Sequence, residues 1–271
     1  MSHSDARRLP RAAFVPVALA LVAATTLLPT ALLPTATATQ ADPEPVRILP
    51  LGDSITYGYE HGSYRTKLWE MLVDDDGYAI DFVGSQSDGP ESLPDRDHEG
   101  HSGWRIDEIE TEAADWVADH DPDIVLLHIG TNDMIQGASA DEMEARLDRL
   151  LETLFEAGPQ LTVVAAAVIP LHEPDQRLRE YNAAVAGLVE AHRAEGRDAV
   201  FADMASGGIE GRDDIPDGVH PGPQGYAKMA EVWYPLVRAE LEERGAGGIP
   251  EATREGEPYR PGSSTRAQSG T

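Results

Sequence analysis

Two stretches of this chain leave no polar face. Residues 123–129 are apolar apart from a charged start and His128, and residues 161–169 are apolar apart from Thr162. A half-solvated strand alternates apolar and polar side chains, whereas a continuous apolar run fits a strand covered on both sides, as in a parallel sheet with helices above and below. Residues 46–51, 80–84 and 198–202 read as three more strands. Helix-periodic segments lie between and after them, at 64–73, 105–120, from Ser139 or Asp141 to 157, 176–195 and 223–244. Strand and helix thus alternate five times, which predicts an α/β fold built as a three-layer α/β/α sandwich. In such sheets ligands bind beyond the carboxyl ends of the strands.

The folded part is expected to be shorter than the 271-residue chain. Residues 1–38 place Arg7, Arg8 and Arg11 before an apolar run punctuated by Pro16 and Pro29, then close on Ala36-Thr37-Ala38. Basic, apolar and small-residue cleavage regions in that order read as a secretory signal peptide. A membrane anchor is the competing reading, and the prolines and cleavage site argue against it. Residues 39–45 read as a linker, 46–243 as one folded domain, and 244–271, rich in Gly, Pro, Ser and Thr, as a disordered tail. The expected product is a secreted monomer with no membrane contact after the signal is removed.

With no cysteine, thiol catalysis, disulfides and cysteine metal sites are excluded. The net charge is −27, and loss of residues 1–38, with three Arg and one Asp, takes it to about −29. That field disfavours nucleic acid and other polyanions as partners.

Four short blocks carry chemistry. Gly52-Asp53-Ser54 follows the first strand. The Ser54 hydroxyl needs a base to become a nucleophile, and its backbone N–H is free to donate; the same tripeptide is also a common turn. Asp217 and His220, three residues apart, let one loop turn a carboxylate onto Nδ1 and aim Nε2 at the serine. Gly103 offers a backbone N–H with no Cβ in the way, and Asn132, one of only two asparagines, offers a side-chain N–H. Rigid donors of this kind make an oxyanion hole, here Ser54, Gly103 and Asn132. Asp53, Tyr57 and Trp104 are candidate substrate contacts, although Trp104 is equally suited to core packing. His98 and His101 have a spacing that fits a metal but lack further ligands, so no metal or cofactor is expected. His128 reads as a satisfied core residue, and residues 85–99 as a long loop.

Taken together, the blocks resemble the SGNH/GDSL hydrolase superfamily, with Ser54, Gly103, Asn132 and His220 at its signature positions and Asp217 as its acid. The stretch from Gly52 to Gly58 followed by Tyr64-Arg65, with the segment 98–107, Ile129 to Asp133 and Asp217 to Pro221, is similar to carbohydrate esterase family 3. The resemblance implies a flavodoxin-like five-stranded parallel sheet, a shallow active site and metal-independent deacetylation. The implied activity is removal of O-acetyl groups from xylan or related acetylated oligo- or polysaccharides through an acyl-enzyme. A lipase, phospholipase or arylesterase on the same scaffold is the alternative, and a non-catalytic glycan-binding protein is the alternative of another class.

Overall fold

The computed structural model describes residues 44–61, 63–171 and 175–248. The expected signal peptide, most of the linker and the tail beyond residue 248 lie outside the described residues. In chain order the elements are β1 (Val46–Gly52), α1 (Ser54–Tyr57), α2 (Ser63–Trp69, continued by a π-helical turn, Glu70–Asp75), β2 (Ile80–Phe82), β3 (Gln86–Ser87), β4 (Asp97–Gly100) and α3 (Ile106–His120). There follow β5 (Ile124–His128), α4 (Thr131–Ile135), α5 (Ala140–Ala157), β6 (Thr162–Ala166), α6 (Gln176–Ala194), β7 (Ala199–Ala202), α7 (Gly211–Asp214) and α8 (Pro223–Glu243).

Five strands pair in parallel in the order β2-β1-β5-β6-β7, with Ile48 opposite both Phe82 and Ile124, Leu126 opposite Val164, and Ala165 opposite Phe201. This is the flavodoxin-like order. Strand periodicity explains the layers. Leu49, Leu51, Val125, Leu127, Val163 and Ala165 point to one face and pack with apolar residues of α3, α5 and α6. Val46, Ile48, Ile124, Leu126, Val164 and Ala166 point to the other and pack with α2 and α8. The two apolar runs, 123–129 and 161–169, are therefore the centre of both cores.

Helix ends follow local chemistry. Ser139 caps α5, its Oγ accepting from Glu142 N at 3.3 Å while the Glu142 carboxylate accepts from Ser139 N at 2.9 Å. Pro223 sits in the first turn of α8, where a missing N–H costs nothing. Beyond α8 the chain stays docked: Arg244 donates to Thr162 Oγ1 at 2.8 Å, and Ala246 is buried.

The segment expected to be one long loop, 85–99, contains two short strands. β3 and β4 form an antiparallel pair, with Gln86 opposite His98, and β4 continues the sheet along the end of β1, with Leu51 opposite Glu99 and Gly52 opposite Gly100. The sheet thus has seven strands around its five-stranded parallel centre. Strands made of Gln, Ser, Asp, His and Glu have no apolar periodicity to reveal them. What holds them is Arg65, a fully buried residue of α2. Its guanidinium donates to the carbonyls of Arg96 at 2.8 Å, Asp88 at 2.9 Å and Tyr57 at 3.2 Å.

Candidate active site

β1 ends where three strands converge. Gly52 lies against the last residue of β5, and a Cβ there would run into the His128 carbonyl, so the close approach needs glycine. Asp53 then caps α1, its Oδ1 accepting from Ile55 N at 2.9 Å. Burial pushes the Asp53 carboxyl up to about 6, against the hydrogen bond from Ile55 that favours its charge. Ser54 opens α1 at the sheet edge with 6% of its surface exposed, and its first-turn N–H has no acceptor within the helix.

The candidate base, His220, sits on the loop before α8. Ser54 Oγ lies 2.9 Å from His220 Nε2, and His220 Nδ1 lies 2.7 Å from Asp217 Oδ2. With Nδ1–H donating to the carboxylate, Nε2 is left to accept from the serine hydroxyl. Asp217 Oδ1 accepts from the backbone N–H of Val219 at 2.9 Å and of His220 at 2.7 Å. Partial burial raises the Asp217 carboxyl, but the His220 ring and these two N–H groups outweigh it and hold it down at about 2. The loop is anchored from below: Asp214, buried, accepts from Lys228 Nζ at 2.6 Å and Glu210 N at 2.7 Å, and its carbonyl accepts from Gly222 N at 2.8 Å.

The donor side is assembled from two other edges of the sheet. Residues 101–104 form a turn, Trp104 N donating to the His101 carbonyl at 3.1 Å, with His101 N donating to Gly52 O at 2.9 Å. Gly103 is exposed, with φ +85° and nothing within 4 Å of where a Cβ would stand. Asn132, in α4, donates from Nδ2 to the Trp104 carbonyl at 2.9 Å and makes a longer contact, 3.4 Å, to Asp53 Oδ2. The next residue, Asp133, is fully buried. It accepts from Ile106 N at 3.0 Å and from Arg146 at 2.6 Å, so it ties the start of α3 to the Asn132 turn.

The structure therefore brings Ser54, Asp217, His220 and Asn132 to one edge, with the Gly103 turn docked beside Asn132. The proposed substrate contacts fare differently. Asp53 has no exposed surface, because its carboxylate is spent on the α1 cap and Asn132. Trp104 is half-buried, stacked on the His101 ring at 4.4 Å and packed on the core, which favours the packing reading over a sugar platform. Tyr57 is half-buried, edge-on to His98 at 5.6 Å and Tyr59 at 5.0 Å. Tyr59, which sequence reasoning passed over, is half exposed and stands edge-on to His220 at 5.9 Å. It lines a cavity of about 650 Å³ together with His61, Pro216, His220 and Tyr226.

His98 and His128 are fully buried, and His101 is partly buried. His98 Nδ1 accepts from Gly100 N at 2.9 Å, and His101 Nε2 lies 2.7 Å from the Glu99 carboxylate. Among the described residues no cluster of three or more His, Asp or Glu is arranged to hold a metal. His128 is not the satisfied core residue expected: it is fully buried, and neither ring nitrogen has a protein partner. Arg65, Glu99 and Asp133 stand in the motif blocks, but the sequence assigns them no role, since a buried charge gives no periodic signal and its partners are remote in sequence.

A parallel α/β/α sandwich with a serine, a histidine and an aspartate in hydrogen-bond line at its carboxyl edge defines a hydrolase-like architecture. The chain belongs to the GDSL-like lipase/acylhydrolase family, whose model matches residues 51–228. It is similar to a family 3 carbohydrate esterase of Clostridium thermocellum, with 36% identity and a TM-score of 0.69 over 75% of this chain and 100% of that one. A carbohydrate esterase family 3 structure from Talaromyces cellulolyticus has 32% identity and a TM-score of 0.67, over 73% of this chain and 99% of that one. A multidomain esterase of Ruminococcus flavefaciens is 31% identical over 227 residues, 73% of this chain but only 29% of the relative's length.

Proposed function

We propose that this protein is a secreted serine esterase that removes O-acetyl groups from xylan or related acetylated saccharides through an acyl-enzyme. The observation that carries the reading is the line Ser54 Oγ–His220 Nε2 at 2.9 Å and His220 Nδ1–Asp217 at 2.7 Å, placed at the ligand-binding edge of the sheet. In this mechanism Ser54 Oγ attacks the acetyl carbonyl carbon while His220 takes the hydroxyl proton. Asp217 keeps the ring in the required tautomer and stabilises the imidazolium. The tetrahedral oxyanion is held by the N–H groups of Ser54 and Gly103 and by Asn132 Nδ2, whose 3.4 Å contact to Asp53 is the weaker of its two and the one to be exchanged. His220 then gives its proton to the departing sugar oxygen. Water, deprotonated by His220, attacks the acetyl-serine and releases acetate.

Similarity to family 3 carbohydrate esterases supports a saccharide leaving group. The negative charge of the chain argues against anionic lipids and charged polymers as substrates. Export rests on the arginines, apolar run and Ala36-Thr37-Ala38 of the N-terminal segment. The test is acetate release from acetylated xylan by the wild type and Ser54→Ala: the variant should be inactive, and unchanged turnover removes the mechanism. Esters of increasing chain length separate the lipase alternative, since preference for octanoate over acetate overturns the saccharide reading.

A further inference from the structure

Directly beneath the Gly103 turn lies a charged cluster that the reaction above does not use. Glu99, in β4, is fully buried. Its carboxylate accepts from Ser85 N and from Ser85 Oγ at 3.1 Å, and lies 2.7 Å from His101 Nε2 and 3.3 Å from His120 Nε2. No lysine or arginine pairs with it among the described ion pairs. A buried carboxylate on a sheet edge costs several kcal/mol in desolvation, so its retention beside a site calls for a use. The use is visible in what His101 does. Its ring lies against both indoles, 4.4 Å from Trp104 at 25° and 4.7 Å from Trp116 at 11°, with the two indoles 6.1 Å apart. Its backbone joins the nucleophile strand at Gly52 O and closes the turn onto Trp104 N. Trp104 in turn accepts from the Asn132 amide.

We infer that Glu99 and His101 are positioning residues for the esterase: the buried carboxylate fixes the His101 ring, the ring fixes the Trp104 side of the turn, and the turn aims Gly103 and Asn132. The inference rests on the Ser54 reading of the active site. It makes the donor side of the site depend on a carboxylate that never touches substrate. An oxyanion hole acts only if its donors are already in place when charge develops, so a loosened brace should slow the chemical step and leave substrate binding nearly unchanged.

The variants are Glu99→Gln, His101→Phe, which keeps the stack but loses the anchor, and His101→Ala, which loses both. They are assayed on 4-nitrophenyl acetate with active sites titrated, beside Leu150→Ala, a fully buried core residue of α5, as a control for lost stability. The expected result is a fall in kcat per titrated site of about tenfold or more for Glu99→Gln and His101→Ala, a smaller fall for His101→Phe, KM within about twofold, and no fall for Leu150→Ala. A kcat per site unchanged in the His101 variants overturns the inference, as does a loss that appears wholly in KM. If Glu99→Gln does not fold, the two His101 variants decide the matter alone. Ser54→Ala, run in parallel, keeps the two claims apart: residual wild-type turnover there refutes the serine mechanism, whereas a dead Ser54→Ala with fully active His101 variants refutes only the brace.

Discussion

The two halves of the proposed active site are built differently. The base side is local: Asp217, Val219 and His220 satisfy one another within four residues, and the Asp217 side chain is 56% exposed. The donor side is distributed: Gly103 and Asn132 are held by Glu99, His101, Trp104, Asp133 and Arg146, drawn from β4, the turn before α3, α4 and α5. A proton-transfer pair tolerates an exposed loop, because its hydrogen bonds are short and charge-assisted. An oxyanion hole has to be rigid before the reaction, so its donors are tied into the buried frame.

The largest effect is expected where the local half is cut. His220→Ala should lower kcat by about four orders of magnitude or more, measured as acetate release, and adding Ser54→Ala to it should cost almost nothing further, because the two act as a unit. Asn132→Ala strikes the distributed half and should lower kcat by roughly a hundredfold to a thousandfold with little change in KM. If Asn132→Ala matched His220→Ala, or left kcat intact, the division of labour between the two halves would be wrong.

The same contrast explains what could be read from the residues in order. Asp217 and His220 are legible because their partners are neighbours in sequence, and the strands β5 and β6 are legible because both their faces are apolar. The short helices α1 and α4 went unread, since each is little more than a single turn at a strand end. So did β3 and β4, whose polar residues pair only because Arg65 ties their connecting carbonyls down. Glu99 and Asp133 look like ordinary surface acids until the fold buries them. Trp104 and Tyr57 were singled out as aromatics near a motif, yet Tyr59 is the ring the backbone presents beside His220, in a left-handed turn that composition does not announce (φ +46°).

Stability should divide along the same line. Asp133→Ala removes a buried carboxylate from Arg146 and from the first N–H of α3, and should cost roughly 3 kcal/mol by denaturant unfolding. Asp217→Ala, at the exposed end of the local half, should cost less than about 1 kcal/mol while abolishing most activity. An equal loss of stability in the two variants would contradict the contrast.

The smallest effect concerns the frame under the nucleophile. Burial lowers His98 to about 2 and His128 to about 4, well below the ordinary value of 6.5. For both, the unfolded chain binds the proton more readily, so their neutral burial stabilises the fold above about pH 6.5 and that contribution fades as pH falls. Asp53 acts in the opposite sense: with its carboxyl raised to about 6, its contribution is present below about pH 4 and is lost as pH rises through 6. Of these three groups the two histidines outweigh the aspartate, so together they pull stability down from pH 6.5 to 4. Over this interval Asp217 contributes no decline, because its low value moves its loss to between about pH 4 and 2. His128→Leu removes one of the two acid-sensitive rings together with two unpartnered buried nitrogens. Its melting temperature at pH 7 should match or exceed that of the wild type, since an unsatisfied buried polar group costs about 1–3 kcal/mol. Its decline toward pH 4 should be shallower. A slope identical to the wild type would mean that His128 titrates freely in the folded protein, and that the frame beneath Ser54 admits solvent as readily as the Asp217 loop does.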